Sequence, residues 1–548
     1  MNRRDFLKLS FAGTLFGPTL LANSLEENNS EYFAEGLQHT WEQTTLHHCV
    51  KPTNSFLQNT FGLNAHRATG ETMTVRNDLV GNVSLCRSPK SLTFFHQITD
   101  THVIDEESPA RFVGASQYLE KINIHNAFRK QEDLTLQVLD SMVNTINNIC
   151  ASRKLDFVLN TGDSVDNAQK NELSWFLRTM QGKEVDPDSG INEDPLPGAN
   201  NDANDPFIAH GLLASIPWYT AIGNHDILIQ GNIPPHLLKV FNGIVGKITD
   251  ILTIPDPVGD YSHAIITPWV NPPEPKNLHS GYIVPDALRR NITPEDFISM
   301  HRQSGCGFPK NFNNSQKTYY TFYPKAGLPL KVIVLDTALR IGTAMGGIDK
   351  KQFNDFLVPE LEKSKKNNEL VMIVSHHPSS QIKTLSDISE LLHKLYGKDK
   401  QKKEALNELL VDFQDEDRGL GFISGSKFKT TLLKYPNVFA HIAGHRHRHQ
   451  ITRMGSDNAG YWEIQTCSML GYPQQSRLFE IVYEGNNIGA IHTCAVDHDS
   501  APDSLAARSR TLSYNNYDKQ TIAEMMGTEK DRNAILRFSI PASIAKKL

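Results

Sequence analysis

Five short blocks constrain this chain most. In order they are Asp100-Thr101-His102, Gly162-Asp163-Ser164-Val165-Asp166-Asn167, Gly223-Asn224-His225-Asp226, Ser375-His376-His377-Pro378 and Gly444-His445-Arg446-His447. Each carries His, Asp or Asn, and each follows an apolar run that reads as a strand. The runs are Leu92–Ile98, Phe157–Leu159, Trp218–Ile222, Leu370–Val374 and Val438–Ile442. Helical patterns lie between them. Leu134, Leu136, Val138, Leu139, Met142, Val143 and Ile146 recur on helical faces, and a second helix is expected from about Lys350 to Lys363. Alternating strands and helices predict an α/β layered fold. Ligand sites in such folds collect at the carboxyl ends of strands, where all five blocks sit. A further strand, Lys331–Leu335, ends at Asp336, which we read as structural. Gly460–Thr466 and Leu478–Tyr483 read as a final antiparallel pair.

The block residues are metal donors by type. In an extended segment, residues two apart point to the same side. Asp100 and His102 can then reach one site, and so can His445 and His447. The glycine before Asp163 allows a sharp turn that brings its carboxylate inward. A carboxylate has two oxygens and can bridge two ions. Asn224 adds an amide oxygen and His376 an imidazole. Two adjacent metal ions can generate hydroxide at neutral pH and hold a phosphate at once.

Composition narrows the partners. The 548 residues are 39% hydrophobic and 21% charged, which is ordinary for a globular protein. The net charge of −6 implies no polycationic surface, so nucleic acid is not the expected partner. Arg3-Arg4, the modest apolar stretch Leu9–Leu21 and Ala22-Asn23-Ser24 read as a targeting segment over 1–24 that resembles a twin-arginine export signal. The stretch is too short and too broken for a stable membrane span. The expected location is periplasmic or extracellular, with the export machinery as a partner. None of the six cysteines (Cys49, Cys86, Cys150, Cys306, Cys467 and Cys494) forms a CxxC pair. An oxidising destination permits disulfides, and buried thiols are equally compatible. The expected organisation is a signal over 1–24, an N-terminal extension over 25–90, a main domain over 91–485 and a C-terminal extension over 486–548. Insertions are expected near 170–215 and 227–325, and Lys398–Lys403 reads as a solvated helix face.

The five blocks resemble the calcineurin-like metallophosphoesterase superfamily: DxH, GDxxD, GNHD, a lone His after a strand, and GHxH. The twin-arginine start, Asn167-Ala168-Gln169 and Pro473-Gln474-Gln475 resemble an exported bacterial subfamily of it. The core resemblance covers residues 92 to 480. It implies a four-layer α/β/β/α sandwich with long inserted loops. It also implies two divalent or mixed-valence metal ions, Mn, Fe or Zn. Metal one would be held by Asp100, His102, Asp163 and His447, and metal two by Asp163, Asn224, His376 and His445. Asp163 would be the bridge. The pattern favours His376 over His377, which would face the pocket or stand behind the ligands. No Tyr sits beside Asp163, which speaks against a ferric-tyrosinate centre. His225 would stabilise phosphate oxygens or protonate the leaving oxygen, with Asp226 holding its ring. Asp166 and Asn167 would orient the Asp163 loop, and His441 and His449 read as packing or as support behind the ligands rather than a third metal site. Four positive charges against two carboxylates and a hydroxide leave about one net positive charge to attract a phosphate ester. The activity implied is hydrolysis of a small phosphomonoester or phosphodiester by a metal-bridging hydroxide. The alternatives are a non-catalytic metal-binding scaffold of the same fold, or a nuclease.

Overall fold

The computed structural model describes residues 71–81, 89–108, 110, 129–190, 196–235, 286–384, 386–387, 421–501 and 504–548, with the backbone of four two-residue strands elsewhere. The targeting segment, Cys49, Cys86 and Lys398–Lys403 lie outside these residues.

Among the described residues, two large sheets form the core. Strands β1 (Thr74–Arg76), β2 (Lys90–Ile98), β3 (Phe157–Asn160) and β4 (Trp218–Thr220) enter the first. Strands β5 (Tyr320–Phe322), β6 (Leu330–Val334), β7 (Leu370–Val374), β8 (Val438–Ala443), β9 (Gln450–Ser456) and β10 (Ala459–Gln465) form the second. The chain then returns to the first sheet with β11 (Gln475–Gly485), β12 (Ile488–Asp497) and β13 (Ala534–Ser539). The spatial orders are β1-β13-β12-β11-β2-β3-β4 and β5-β6-β7-β8-β10-β9. The strands that precede the five blocks pair in parallel, β2-β3-β4 in one sheet and β7-β8 in the other. Their carboxyl ends therefore share one edge of each sheet.

Side-chain alternation makes the layers. On β2, Phe95 stacks on Phe157 at 4.5 Å, and Phe157 meets Phe322 of the second sheet at 5.4 Å. Gln97 donates to the Ala443 carbonyl of β8. The alternate residue His96 faces the other way and bonds Ser476, whose hydroxyl reaches Met142. Met142 belongs to helix α1 (Thr135–Ser152), and α2 (Lys170–Gln181) packs beside it. On β6 and β7, Val332, Val334, Met372 and Val374 face the inter-sheet core. Ile333, Val371 and Ile373 instead pack with Leu361, Phe428 and Leu432. Those lie on two further helices, Val358–Asn367 and Gly425–Leu432. The result is an α/β/β/α sandwich. Both faces of each central strand are covered, which is why these strands read as continuous apolar runs.

One expectation changes. Gly460–Thr466 and Leu478–Tyr483 do not pair: β10 joins β8 and β9 in the second sheet, while β11 joins β2 and β12 in the first. Within the C-terminal extension, 486–548, β12 and β13 extend the first sheet. β13 also draws in β1 from the expected N-terminal extension. The described cysteines Cys150, Cys306, Cys467 and Cys494 are free thiols.

Candidate metal centre

Backbone conformation aims the donors. Asp100, His102, Asp163, His445 and His447 have positive φ values of 50°, 46°, 52°, 69° and 50°. The convergence of Asp100 with His102, and of His445 with His447, therefore does not come from extended alternation. It comes from left-handed turns at the strand ends. Such non-glycine conformations cost about 1–3 kcal/mol each and gather at functional sites. Three block glycines leave the space these turns need. Gly162 has φ 97°, and a Cβ there would lie 2.8 Å from the Gly223 nitrogen and from His376 Nδ1. A Cβ on Gly223 would strike the Asp163 carboxylate, and one on Gly444 would strike Thr99 and Asp100.

The seven donors form two sets. In the first, His447 Nε2 lies 3.3 Å from Asp100 Oδ1 and 3.1 Å from His102 Nε2. His102 Nε2 is 4.0 Å from Asp100 Oδ1 and 3.9 Å from Asp163 Oδ2. In the second, His376 Nε2 is 3.0 Å from Asp163 Oδ2, 3.0 Å from Asn224 Oδ1 and 3.3 Å from His445 Nδ1. Asp163 Oδ2 thus belongs to both sets. Donors about 2.1 Å from one ion stand about 3–3.5 Å apart, so most of these separations suit a metal.

Hydrogen bonds fix which atom each donor presents. His102 donates from Nδ1 to Asp166 Oδ1 at 2.8 Å, which leaves Nε2 bare. His376 donates from Nδ1 to the Thr161 carbonyl at 2.8 Å, which turns Nε2 toward Asp163, Asn224 and His445. Asn224 donates from Nδ2 to the Gly231 carbonyl at 3.0 Å, which turns its oxygen to His376. Locking the far side of a ligand in this way is how proteins orient metal sites.

The electrostatics also fit bound cations. Burial pushes the His102 pKa down to about 4, helped by the His225 charge, so its ring is a neutral donor. Burial works to lower His376 too, but Asp163 and Asp100 draw it up to about 9. Burial works against ionised Asp163, yet the imidazoles of His376, His225 and His102 hold it well below the usual carboxylate range. The buried carboxylates demand positive charge between them. Mixed N and O donors of this kind suit Mn, Fe or Zn.

The flanking residues divide. Asp226 does not hold the His225 ring. Its carboxylate accepts the backbone N–H groups of Gly223, Asp163, Ser164 and Val165, tying two block loops together. The ring is held by Asp166 instead: His225 Nδ1 donates to its carbonyl at 2.8 Å and lies 3.2 Å from its Oδ1. Asp166 thus touches both His102 and His225. Burial disfavours its charge, but Arg129 and the two histidines hold its pKa well below the usual value. Asn167 is bound to Glu172 and Gln230, away from the donors. His377 is buried, with Nδ1 against Thr337 and Nε2 against the Ala344 carbonyl, and its ring packs 4.2 Å from His445. His441 bonds Ser375 and Glu463 beneath the site, and His449 bonds Gln475 and Arg477. Asp336 pairs with Arg340. The His225 ring also stands among the donors of His102 and Asp163, so ligand and proton donor are both open to it by position.

Sequence reasoning missed Arg129 and Gln230. Arg129 binds Asp166 at 3.1 Å through Nη2, and Gln230 donates to Asp166 Oδ2 at 2.9 Å. Neither lies in a block, and no local spacing marks them.

No protein-family model matches the chain, and no curated protein matches it. Solved structures similar to it include a dimetal phosphatase from Danio rerio, at 13% identity and TM-score 0.36, covering 75% of this chain and 100% of that one. A purple acid phosphatase from yellow lupin (Lupinus luteus) seeds aligns at 8% identity and TM-score 0.32, covering 88% of this chain and 57% of that one. GAP50, the anchor in the inner membrane complex of Plasmodium, aligns at 9% identity and TM-score 0.25, covering 78% of this chain and 96% of that one. At this distance the likeness assigns no residue, and the donor sets stand on their own geometry.

Proposed function

We propose that this chain is a dinuclear-metal-dependent hydrolase of phosphate esters. The observation that carries the reading is the meeting of two donor sets at one oxygen, Asp163 Oδ2. Two ions bound there would supply activated water at neutral pH and positive charge for phosphoryl oxygens. The chain's own residues do the rest. Asp100, His102 and His447 hold one side, and Asn224, His376 and His445 the other. Asp166 fixes His225 through Nδ1, so that Nε2 is the atom left to face a substrate. From there it can stabilise a phosphoryl oxygen or give a proton to the leaving oxygen.

The test is turnover of p-nitrophenyl phosphate and bis-p-nitrophenyl phosphate by manganese-loaded protein. Release of nitrophenolate with two bound equivalents of metal supports the reading. A sample holding two equivalents with no release of either would favour a metal-binding scaffold. Tight, salt-dependent DNA binding would favour a nuclease. We also propose export directed by residues 1–24, which a change of Arg3-Arg4 to Lys-Lys should block. Among the described residues no helix is long and apolar enough to cross a membrane.

A further inference from the structure

Just after the third block, two residues take a backbone that few side chains favour. Gln230 and Gly231 are consecutive left-handed residues, with φ 50° and 62°. Glycine and asparagine settle there readily, whereas a longer side chain is strained. Gln230 is buried, and its amide shows what it does there. Nε2 donates to Asp166 Oδ2 at 2.9 Å and to Asn167 Oδ1 at 3.0 Å. Strain held in place by its surroundings gathers at functional sites. The turn is closed on itself, since Ile229 and Ile233 exchange backbone hydrogen bonds at 2.9 and 3.0 Å. Its other flank is pinned as well. Asn232 Oδ1 accepts the Ala344 N–H at 3.0 Å, and the Ala344 carbonyl accepts His377 Nε2 at 3.2 Å.

Gly231 lies against both a metal donor and the His225 ring. Its carbonyl accepts Asn224 Nδ2 at 3.0 Å. A Cβ on Gly231 would stand 2.2 Å from His225 Cδ2, 2.3 Å from His225 Nε2 and 2.4 Å from Asn224 Nδ2. The ring cannot yield without losing its other contacts. Nδ1 is bonded to the Asp166 carbonyl at 2.8 Å, and the ring meets His102 edge-on at 4.5 Å. Substitution elsewhere spares the carbonyl that holds Asn224. At Gly231 it would push on Asn224 and His225 together.

We propose that Gln230 and Gly231 are positioning residues. Gly231 seats the Asn224 amide and the His225 ring in one notch, and Gln230 pins that notch to the second block. The turn thus ties the ring that faces the substrate to the ion on the Asn224 side. This rests on the donor sets for its effect on metal, and on the hydrolase reading for its effect on rate.

The test is manganese calorimetry on the full-length chain, with Asn224→Ala marking which ion belongs to the Asn224 side. Gly231→Ala should weaken that ion by about 10- to 100-fold and leave the other within about threefold. In the Asn224→Ala background it should weaken that ion no further. A chain that is merely destabilised would not single out one ion. With manganese saturating, Gly231→Ala should lower kcat for p-nitrophenyl phosphate by about 10-fold or more, and by less than about threefold in the His225→Ala background. If Gly231→Ala does not fold, Gln230→Met, which keeps the length of the side chain, takes its place and should weaken the same ion by about threefold or more. Unchanged affinity for both ions, or equal weakening of both, overturns the proposal. So does an equal loss of kcat with and without His225. Selective weakening of one ion in a protein that turns over no nitrophenyl phosphate sinks only the hydrolase reading. Turnover without selective weakening sinks only the positioning claim.

Discussion

The two sides of the centre are built differently. On the first side, Asp100, His102 and His447 all take left-handed backbone. Their outer support is charged: His102 leans on Asp166, and Asp166 on Arg129. On the second side, Asn224 and His376 are absent from the positive-φ residues. They lean on backbone carbonyls, those of Gly231 and Thr161. One side is therefore oriented by side chains that can be substituted. The other is oriented largely by main chain that substitution leaves in place. Asp163 serves both, so it is where the contrast should vanish.

The largest expected effect follows from that shared oxygen. Asp163→Ala should remove both ions and abolish turnover. A variant that keeps two equivalents by elemental analysis would contradict the bridge. Next comes His225→Ala, which should keep both ions and lower kcat by about 10²–10⁴-fold, the usual range for loss of a positioned acid or base. Loss of an ion would make His225 a ligand.

The contrast itself is sharpened by Asp166→Asn. It removes the charged support of His102 and should weaken one ion by about 10- to 100-fold while leaving the other nearly unchanged. Equal weakening of both ions in a metal titration would show that the two sides are not independent.

A control outside the centre leaves both sides untouched. His96 is fully buried, bonds Ser476 at 2.6 Å, and burial lowers its pKa from 6.5 to about 3. Its folded value lies below its unfolded value, so the neutral form is favoured. Its contribution is complete above pH 6.5 and is lost as pH falls toward 3. His96→Gln should flatten the stability of the chain across that window by up to about 1.4 kcal/mol per pH unit. An unchanged slope in urea melts would mean that His96 is not held neutral.

These differences also explain what the sequence could tell. The donors were legible because each follows a strand and several follow a glycine, which is local information. The left-handed turns were not, because they depend on Gly162, Gly223 and Gly444 leaving room for residues far along the chain. The support of the first side was hidden for the same reason. Arg129 and Asp166 are 37 positions apart, and His102 and Asp166 are 64. Asp226 follows His225 and was the obvious partner for its ring, but the backbone N–H groups of Gly223, Asp163, Ser164 and Val165 take up its carboxylate. The strand Ala534–Ser539 lies in what reads from sequence only as a C-terminal extension. Its role comes from pairing with β12 and β1, which periodicity cannot specify.

The most direct measurement is anomalous diffraction from crystals grown with manganese. Two peaks about 3.5–4 Å apart, both within bonding distance of Asp163 and split between His102 and His376, are the expected result. A single peak, or two peaks of which one does not touch Asp163, would contradict it.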